Sequence, residues 1–244
     1  MKFYVLTLFP EMIEQTINTS ITGRAIKDGI IEVEAINIRD FADNDYGQID
    51  DYPYGGGAGM VMQAPPIIDA YNSIVERVGY KPPVVFMTPT GSTFEQNDAR
   101  TFAKIDDLVI LCGHYEGVDE RALEEIVTYN ISIGDYVLTG GELPALVVMD
   151  AVTRLIPGVL NNDVSASTES FEDGLLEHPQ YTRPAEFDGK KVPDILLSGN
   201  HAKIDEYRRL ESIKRTFERR PDLLDDIELS DKEEQYLNNL KNND

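Results

Sequence analysis

Five consecutive apolar residues, Leu108-Val109-Ile110-Leu111-Cys112, are followed at once by Gly113. A run this short and unbroken, closed by glycine, reads as a strand covered on both faces, the pattern of a parallel sheet. Asp119 then opens a helix whose apolar positions Ala122, Leu123, Ile126 and Val127 keep helical spacing. A second strand-like segment, Ile131 to Leu138, is interrupted by Gly134, and Gly140-Gly141 leads into another helix with Pro144 in its first turn. Two glycine-marked loops, 113–117 and 134–141, are therefore expected at the carboxyl ends of neighbouring strands. Open α/β sheets hold ligands there, because main-chain N–H and C=O groups are free to point at a guest. Glycines also serve tight turns with no ligand at all, but two such loops so close together favour a site.

The rest of the first two-thirds repeats the theme. Lys2 to Phe9 reads as a buried strand, and Pro10 starts a helical pattern carrying Met12, Ile13 and Ile17. Thr22 to Gly29 is a short helix stopped by glycine, and Ile30 to Ile38 alternates apolar and polar residues as a strand does. Ala64 to Val78 is an amphipathic helix, and Pro83 to Thr88 a third strand that ends in Thr88-Pro89-Thr90-Gly91. Strand, helix, strand in this order implies an α/β fold with a parallel sheet. The segment from about Glu142 to Ile156 is a nearly all-apolar helix, suited to a core or an interface, with Asp150, Thr153 and Arg154 on one side. Asn161 to Thr168 is polar, small and aperiodic, so it reads as a linker. The expected division is an α/β domain over residues 1–160, a linker over 161–174, and a small helical domain over 175–244. In that last part a helix runs to about Arg219, Pro221 stops it, and Ser230 with Glu233 forms a capping box.

Charge alone argues against a nucleic-acid partner: the chain carries −22, with 44 acidic residues against 22 basic ones. The charge is uneven, however. From Tyr181 to Arg220 ten Lys/Arg face seven Asp/Glu, net +3, which leaves −25 for the remainder. At 100° per residue Arg208, Arg215 and Arg219 fall within about 40° of one another, opposite Leu210, Ile213 and Phe217. Such a stripe can track phosphates or remain a solvated face paired with Glu211 and Glu218. One cysteine permits no disulfide framework, and three histidines (His114, His178, His201) give no zinc-like spacing, so no metal site is assigned. No apolar run approaches a membrane span, and the N-terminus enters a strand directly without a signal-peptide pattern. A cytoplasmic location with no membrane partner is expected. Asp50 to Met60 contains Gly55-Gly56-Gly57-Ala58-Gly59, a loop rich in free N–H groups that lacks the lysine of a P-loop.

The wording of the two glycine loops goes further than their pattern. Gly113-His114-Tyr115-Glu116-Gly117-Val118-Asp119-Glu120-Arg121 and Ser132-Ile133-Gly134-Asp135-Tyr136-Val137-Leu138-Thr139-Gly140-Gly141-Glu142-Leu143-Pro144-Ala145 resemble the bacterial tRNA (guanine-N1)-methyltransferases of the SPOUT class. The similarity extends over almost the whole chain, through Pro53-Tyr54-Gly55-Gly56-Gly57 and Gly174 to Pro184. It implies a SPOUT fold whose last loops are tied into a trefoil knot, a feature that periodicity could not have suggested. The implied activity is methyl transfer from S-adenosylmethionine to N1 of the guanosine just 3′ of the tRNA anticodon, position 37. The partners implied are tRNA and a second copy of the chain, with the active site at the subunit interface.

The resemblance also implies residue roles. Donor contacts fall to Thr88, Pro89, Gly113, Tyr115, Gly117, Ile133, Gly134, Asp135, Tyr136, Val137, Leu138, Gly140, Gly141 and Pro144. Asp50, Tyr54 and Gly55 contribute beside the tRNA, Glu177 helps hold the guanine, and Arg183, Ser198, Arg208, Arg215 and Arg219 serve tRNA binding. Arg154 contacts the target base and stabilises charge on its O6. The segment around 161–169 orders over the partner's active site when tRNA binds, and it carries the catalytic carboxylate. The family position before Ser-Phe is commonly Asp, whereas this chain has Glu169-Ser170-Phe171, with Asp173 as the alternative carboxylate. The extra methylene moves the oxygens by roughly 1.5 Å. Mg²⁺ assistance is suggested as well, without a site. Two rival readings are a SPOUT methyltransferase for another RNA position and a catalytically silent RNA-binding or assembly factor.

Overall fold

The computed structural model describes residues 1–160 and 169–243. Residues 161–168, where most of the linker and its ordering over a partner's site are expected, lie outside the described residues. The chain divides into two compact units, Met1–Asn161 and Asn162–Asp244.

The first unit contains β1 (Lys2–Thr7), β2 (Glu32–Asn37), a short antiparallel pair β3 (Asp50–Asp51) and β4 (Val61–Met62), then β5 (Val84–Thr93), β6 (Asp107–Cys112) and β7 (Tyr129–Ser132). Its helices are α1 (Pro10–Ile17), α2 (Ser20–Lys27), α3 (Ala64–Val78), α4 (Gln96–Phe102), α5 (Glu120–Ile126) and α6 (Glu142–Thr153). The five longer strands form one parallel sheet in the order β2-β1-β6-β5-β7. The continuous apolar runs explain why it is covered on both faces. Along β1, Phe3 and Val5 point into one core with Leu108, Ile110 and Cys112, while Tyr4 and Leu6 point into another with Val109 and Leu111. The first core is closed by α1, α2, α4 and α6 through Ile13, Ala25, Phe102 and Val148; the second by α3 and α5 through Ile67, Ile74 and Ala122. Each Ile, Leu, Val or Phe side chain among them taken fully out of water contributes about 1.5–3 kcal/mol.

Several expectations change here. The loops after β6 and β7 do not follow neighbouring strands, because β5 lies between the two. β7 stops at Ser132 instead of running to Leu138: the Ser132 hydroxyl donates to the Gly134 carbonyl at 3.0 Å and accepts the Gly134 N–H at 3.2 Å, folding the chain into a turn. β5 continues past Thr88 to Thr93 with a break in register, so that Met87 and Ser92 both lie opposite Ile131 and residues 88–91 loop out between them. α4 carried too short an apolar pattern to be read; its start is fixed by a reciprocal cap between Glu95 and Asp98. α6 ends at Thr153, and that threonine is fully buried, not on a polar side with Asp150 and Arg154.

The second unit holds a hairpin of β8 (Glu186–Phe187) and β9 (Lys190–Lys191), which the helical expectation omitted, then α7 (Asp194–Leu197), α8 (His201–Arg219) and α9 (Asp231–Asn243). Its core is small: Leu175, Ile213 and Leu237, with Phe217, Leu224 and Ile227 packed around them. Asn200 caps α8 by accepting the Lys203 N–H at 3.3 Å. At α9 only half of the capping box forms, since both the N–H and the hydroxyl of Ser230 donate to Glu233.

With so little apolar surface buried, ion pairs in this unit matter more. Arg209 donates to Glu233 at 2.7 Å and to Asp173 at 2.5 Å. Burial would raise the Glu233 carboxyl, but hydrogen bonds from Arg209 and Ser230 and the Arg209 charge outweigh it and hold the group at about 2, against an ordinary 4.5. A depressed folded value means that this contribution is complete above pH 4.5 and is lost as pH falls from there towards 2. Thermal unfolding followed by circular dichroism should therefore show wild type more stable than Glu233→Gln at pH 6, with the gap closing through that window. A gap unchanged at pH 3 would rule the linkage out.

Candidate functional site

Three loops converge on a cavity of about 280 Å³: the bulge at 88–91 within β5 and the segments that follow β6 and β7. Its floor is apolar, from Phe86 and Met87 on β5 and Ile131 on β7, and its walls are the segments 88–90, 113–117 and 132–141, with Pro144 of α6 beside them. Backbone proximity makes this arrangement possible. A Cβ on Gly141 would lie 2.6 Å from the Cys112 Cα and 3.0 Å from the Gly113 nitrogen, so only glycine lets the two chains pass. The contact is fastened by a hydrogen bond from the Gly141 N–H to the Gly113 carbonyl at 3.0 Å.

One wall residue sits in a sparsely populated conformation. Tyr115 has φ +59°, and its hydroxyl accepts a hydrogen bond from Arg39 at 3.2 Å while the same guanidinium donates to the Gly47 carbonyl at 3.2 Å. Left-handed backbone at a non-glycine residue costs of order 1–3 kcal/mol and persists where the surroundings over-determine it. The glycine-rich segment 52–60 is tied to the same rim. Met62 donates to the Gly117 carbonyl at 2.9 Å, Glu116 to the Met60 carbonyl at 3.0 Å, and Asp119 to the Met62 carbonyl at 2.9 Å. Asp50 lies opposite Met62 in the β3–β4 pair; Gly55 has φ +87°, and Tyr54 is fully exposed. Sequence proximity alone would not have brought this loop to the cavity.

Of the donor-contact residues expected from sequence, all but Asp135 line the cavity. Asp135 is the middle residue of a tight turn, closed by the Tyr136 N–H on the Gly134 carbonyl at 2.9 Å, and is exposed. The cavity adds Phe86, Met87, Thr90, His114, Glu116, Ile131, Ser132 and Thr139, none of which was singled out. His114 and Glu116 stood inside the motif, whereas the floor residues were legible only as strand. Below the cavity, burial and the charge of Glu142 push the Cys112 thiol well up, so it is an inert packing group.

Arg154 is the C-terminal cap of α6, half-buried, its N–H on the Asp150 carbonyl at 3.2 Å. Glu169 belongs to the second unit and is half-buried. Asp173 is committed elsewhere: one oxygen accepts the Leu175 N–H at 3.2 Å and the other receives Arg209. Glu177 accepts from Gln180 at 2.5 Å, and its N–H rests on the Ser170 hydroxyl at 2.9 Å. The arginine stripe is divided. Arg215 donates to the Glu177 carbonyl at 3.0 Å, Arg208 lies 3.8 Å from Asp205, and Arg219 is exposed. Arg208 and Arg183 line a second cavity of about 660 Å³ with His178, Tyr181 and His201. Ser198 ends α7, its hydroxyl donating to the Ile195 carbonyl at 2.7 Å. Among the described residues no group of three or more His, Cys, Asp or Glu side chains is placed to hold a metal, and no helix is long and apolar enough to cross a membrane.

Comparison with known proteins matches residues 1–226 to the family described as tRNA (Guanine-1)-methyltransferase TrmD. A tRNA (guanine-N(1)-)-methyltransferase of Lachnospira eligens is 62% identical over 226 residues, covering 93% of this chain and 96% of its own length. Proteins of the same name from Clostridioides difficile and Anoxybacillus flavithermus are 55% and 51% identical; the first match covers 91% of this chain and 97% of the relative, and the second covers both proteins completely.

Proposed function

The chain belongs to the tRNA (guanine-1)-methyltransferase family, and from that membership we propose that it methylates N1 of the guanosine just 3′ of the tRNA anticodon. The donor is S-adenosylmethionine, held in the cavity formed by the β5 bulge and the loops after β6 and β7. The observation that carries this reading is the convergence of three main-chain loops on one apolar-floored cavity whose rim is hydrogen-bonded to the 52–60 loop. Adenine needs apolar walls and a few main-chain hydrogen bonds, and the cavity offers Phe86, Met87, Ile131, Ile133 and Leu138 with such groups around them. S-adenosylmethionine, when bound, supplies a methyl group on a sulfonium that leaves as a neutral thioether.

This chain's residues do the remainder. N1 of guanine carries a proton at neutral pH, and Glu169 removes it as general base. Arg154 stabilises the charge that develops on O6, where a fixed cation needs no reorganisation. The loops turn a two-body encounter into a positioned step. Two copies of the chain form the working enzyme in this reading, with Glu169 supplied to the partner's cavity. Leu143 and Val147, one turn apart on α6 and about half exposed, supply an apolar face for such pairing. A trefoil knot is part of the same reading, carried by family membership. Mg²⁺ assistance belongs to the same reading, with no ligands assigned among the described residues.

The test is methyl transfer from labelled S-adenosylmethionine to tRNA transcripts carrying guanosine or adenosine at that one position. Transfer confined to the guanosine transcript is expected. Transfer to both would move the target to another RNA position, and donor binding without transfer to any tRNA would leave a silent binder.

A further inference from the structure

Glu142 opens α6, yet its side chain is only 1% exposed and both carboxylate oxygens are engaged. The Thr7 hydroxyl donates to Oε1 at 2.6 Å, and His114 Nε2 lies 2.6 Å from Oε2. Thr7 is itself fully buried at the end of β1, where its oxygen also accepts the Phe9 N–H at 2.9 Å. His114 lines the cavity, its side chain 14% exposed, with the Phe9 ring at 4.9 Å in an edge-on arrangement. The pair sits directly against the donor loop: a Cβ on Gly140 would lie 2.2 Å from His114 Cε1 and 2.7 Å from Glu142 Oε2. Three segments distant in sequence are thus joined by one chain of side-chain bonds.

Hydrogen-bond roles follow from chemistry. With Glu142 as a carboxylate, which accepts only, the imidazole carries its proton on Nε2. In the neutral ring Nδ1 is then an acceptor, and among the described residues no hydrogen bond to it occurs. We infer that Thr7 and Glu142 are positioning residues that hold His114 as the Nε2–H tautomer and so present Nδ1 as an acceptor to a hydroxyl or ammonium group of the ligand in the cavity. A buried carboxylate has no other evident task at the start of α6, where a surface glutamate would serve the helix as well. The arrangement repeats in a binding wall the logic by which carboxylates orient histidines at metal and catalytic sites. It rests on the reading that the cavity takes the methyl donor, whose ribose hydroxyls and amino group are such partners.

The experiment uses the full chain. Histidine-selective ¹⁵N NMR needs to resolve only three histidines, and calorimetry measures S-adenosylmethionine binding to the same samples. Wild-type His114 should show the Nε2–H tautomer, and Glu142→Gln should shift it towards Nδ1–H with donor affinity reduced about tenfold. His114→Ala should lose affinity by a similar factor. His114→Asn, whose amide oxygen takes the place of Nδ1, should recover most of it. Thr7→Val provides a second perturbation should Glu142→Gln fold poorly. An Nδ1–H or doubly protonated His114 in wild type overturns the inference. So does donor binding that is indifferent to Glu142→Gln, or an asparagine no better than alanine. If wild type binds no donor at all, the reading of the cavity falls first, and the inference with it.

Discussion

Gly141→Ala is expected to abolish donor binding and to destabilise the first unit by about 3 kcal/mol, at the upper end of the cost of overpacking. The added methyl group meets the Cys112 Cα at 2.6 Å, the Cys112 Cβ at 3.0 Å and the Gly113 nitrogen at 3.0 Å. Two of those atoms are main chain of β6 and of the loop that leaves it, at the centre of the sheet with β1 and β5 on either side. No side chain can rotate away to make room. Relief requires the segment 139–141 to lift off the Gly113 loop, which breaks the Gly141–Gly113 hydrogen bond and opens the wall of the cavity. Gly199→Ala is a suitable control. It lies in the second unit at φ +72° with nothing within 4 Å of its Cβ, so it carries backbone strain alone, about 1 kcal/mol. Urea unfolding with calorimetric titration of S-adenosylmethionine separates the two. If Gly141→Ala keeps both its midpoint and its donor affinity, the chains do not cross as closely as described.

That close passage marks the boundary between what the sequence reveals and what it conceals. The runs at β1, β5 and β6 are unbroken apolar stretches, and burial on both faces is the one environment that makes such a pattern favourable. Those strands, the helices α1, α2 and α3 and the loop after β6 were therefore readable one segment at a time, whereas α4 was not. The order of strands was not. Placing β5 between β6 and β7 is a choice among non-local pairings, and nothing in residues 108–145 records a strand that lies earlier in the chain. β7 was misjudged for a local reason, since Ile133, Val137 and Leu138 are apolar yet serve as cavity wall beyond a serine-closed turn. The same split divides the site. Residues inside the quoted motifs arrived together at the cavity because they were already adjacent in sequence. Arg39 behind Tyr115, and Thr7 behind Glu142, lie 76 and 135 residues from their partners, and only the fold brings them together.

Glu169→Ala should lower the rate of methyl transfer by about 10²–10⁴-fold, the usual contribution of a positioned general base. Donor binding should stay unchanged, because the proposed base acts on guanine N1 and every described residue lining the donor cavity belongs to the first unit. That division between rate and affinity is the useful signature, since a collapsed loop would disturb both. Glu169→Asp restores the charge and withdraws the oxygens by roughly one C–C bond, about 1.5 Å. A misplacement near 1 Å can cost as much as 10²-fold, so partial activity, above alanine and below wild type, is the expected result. Asp173 supplies the internal comparison. Its oxygens are occupied by the Leu175 N–H and by Arg209, which also holds Glu233, so Asp173→Asn should weaken the second unit while sparing the chemical step. Single-turnover transfer to the guanosine transcript at saturating donor reads the chemical step directly. Should Glu169→Ala transfer methyl at the wild-type rate while Asp173→Asn fails, the base is Asp173, and the Arg209 pair must then be exchanged for the substrate each time tRNA binds.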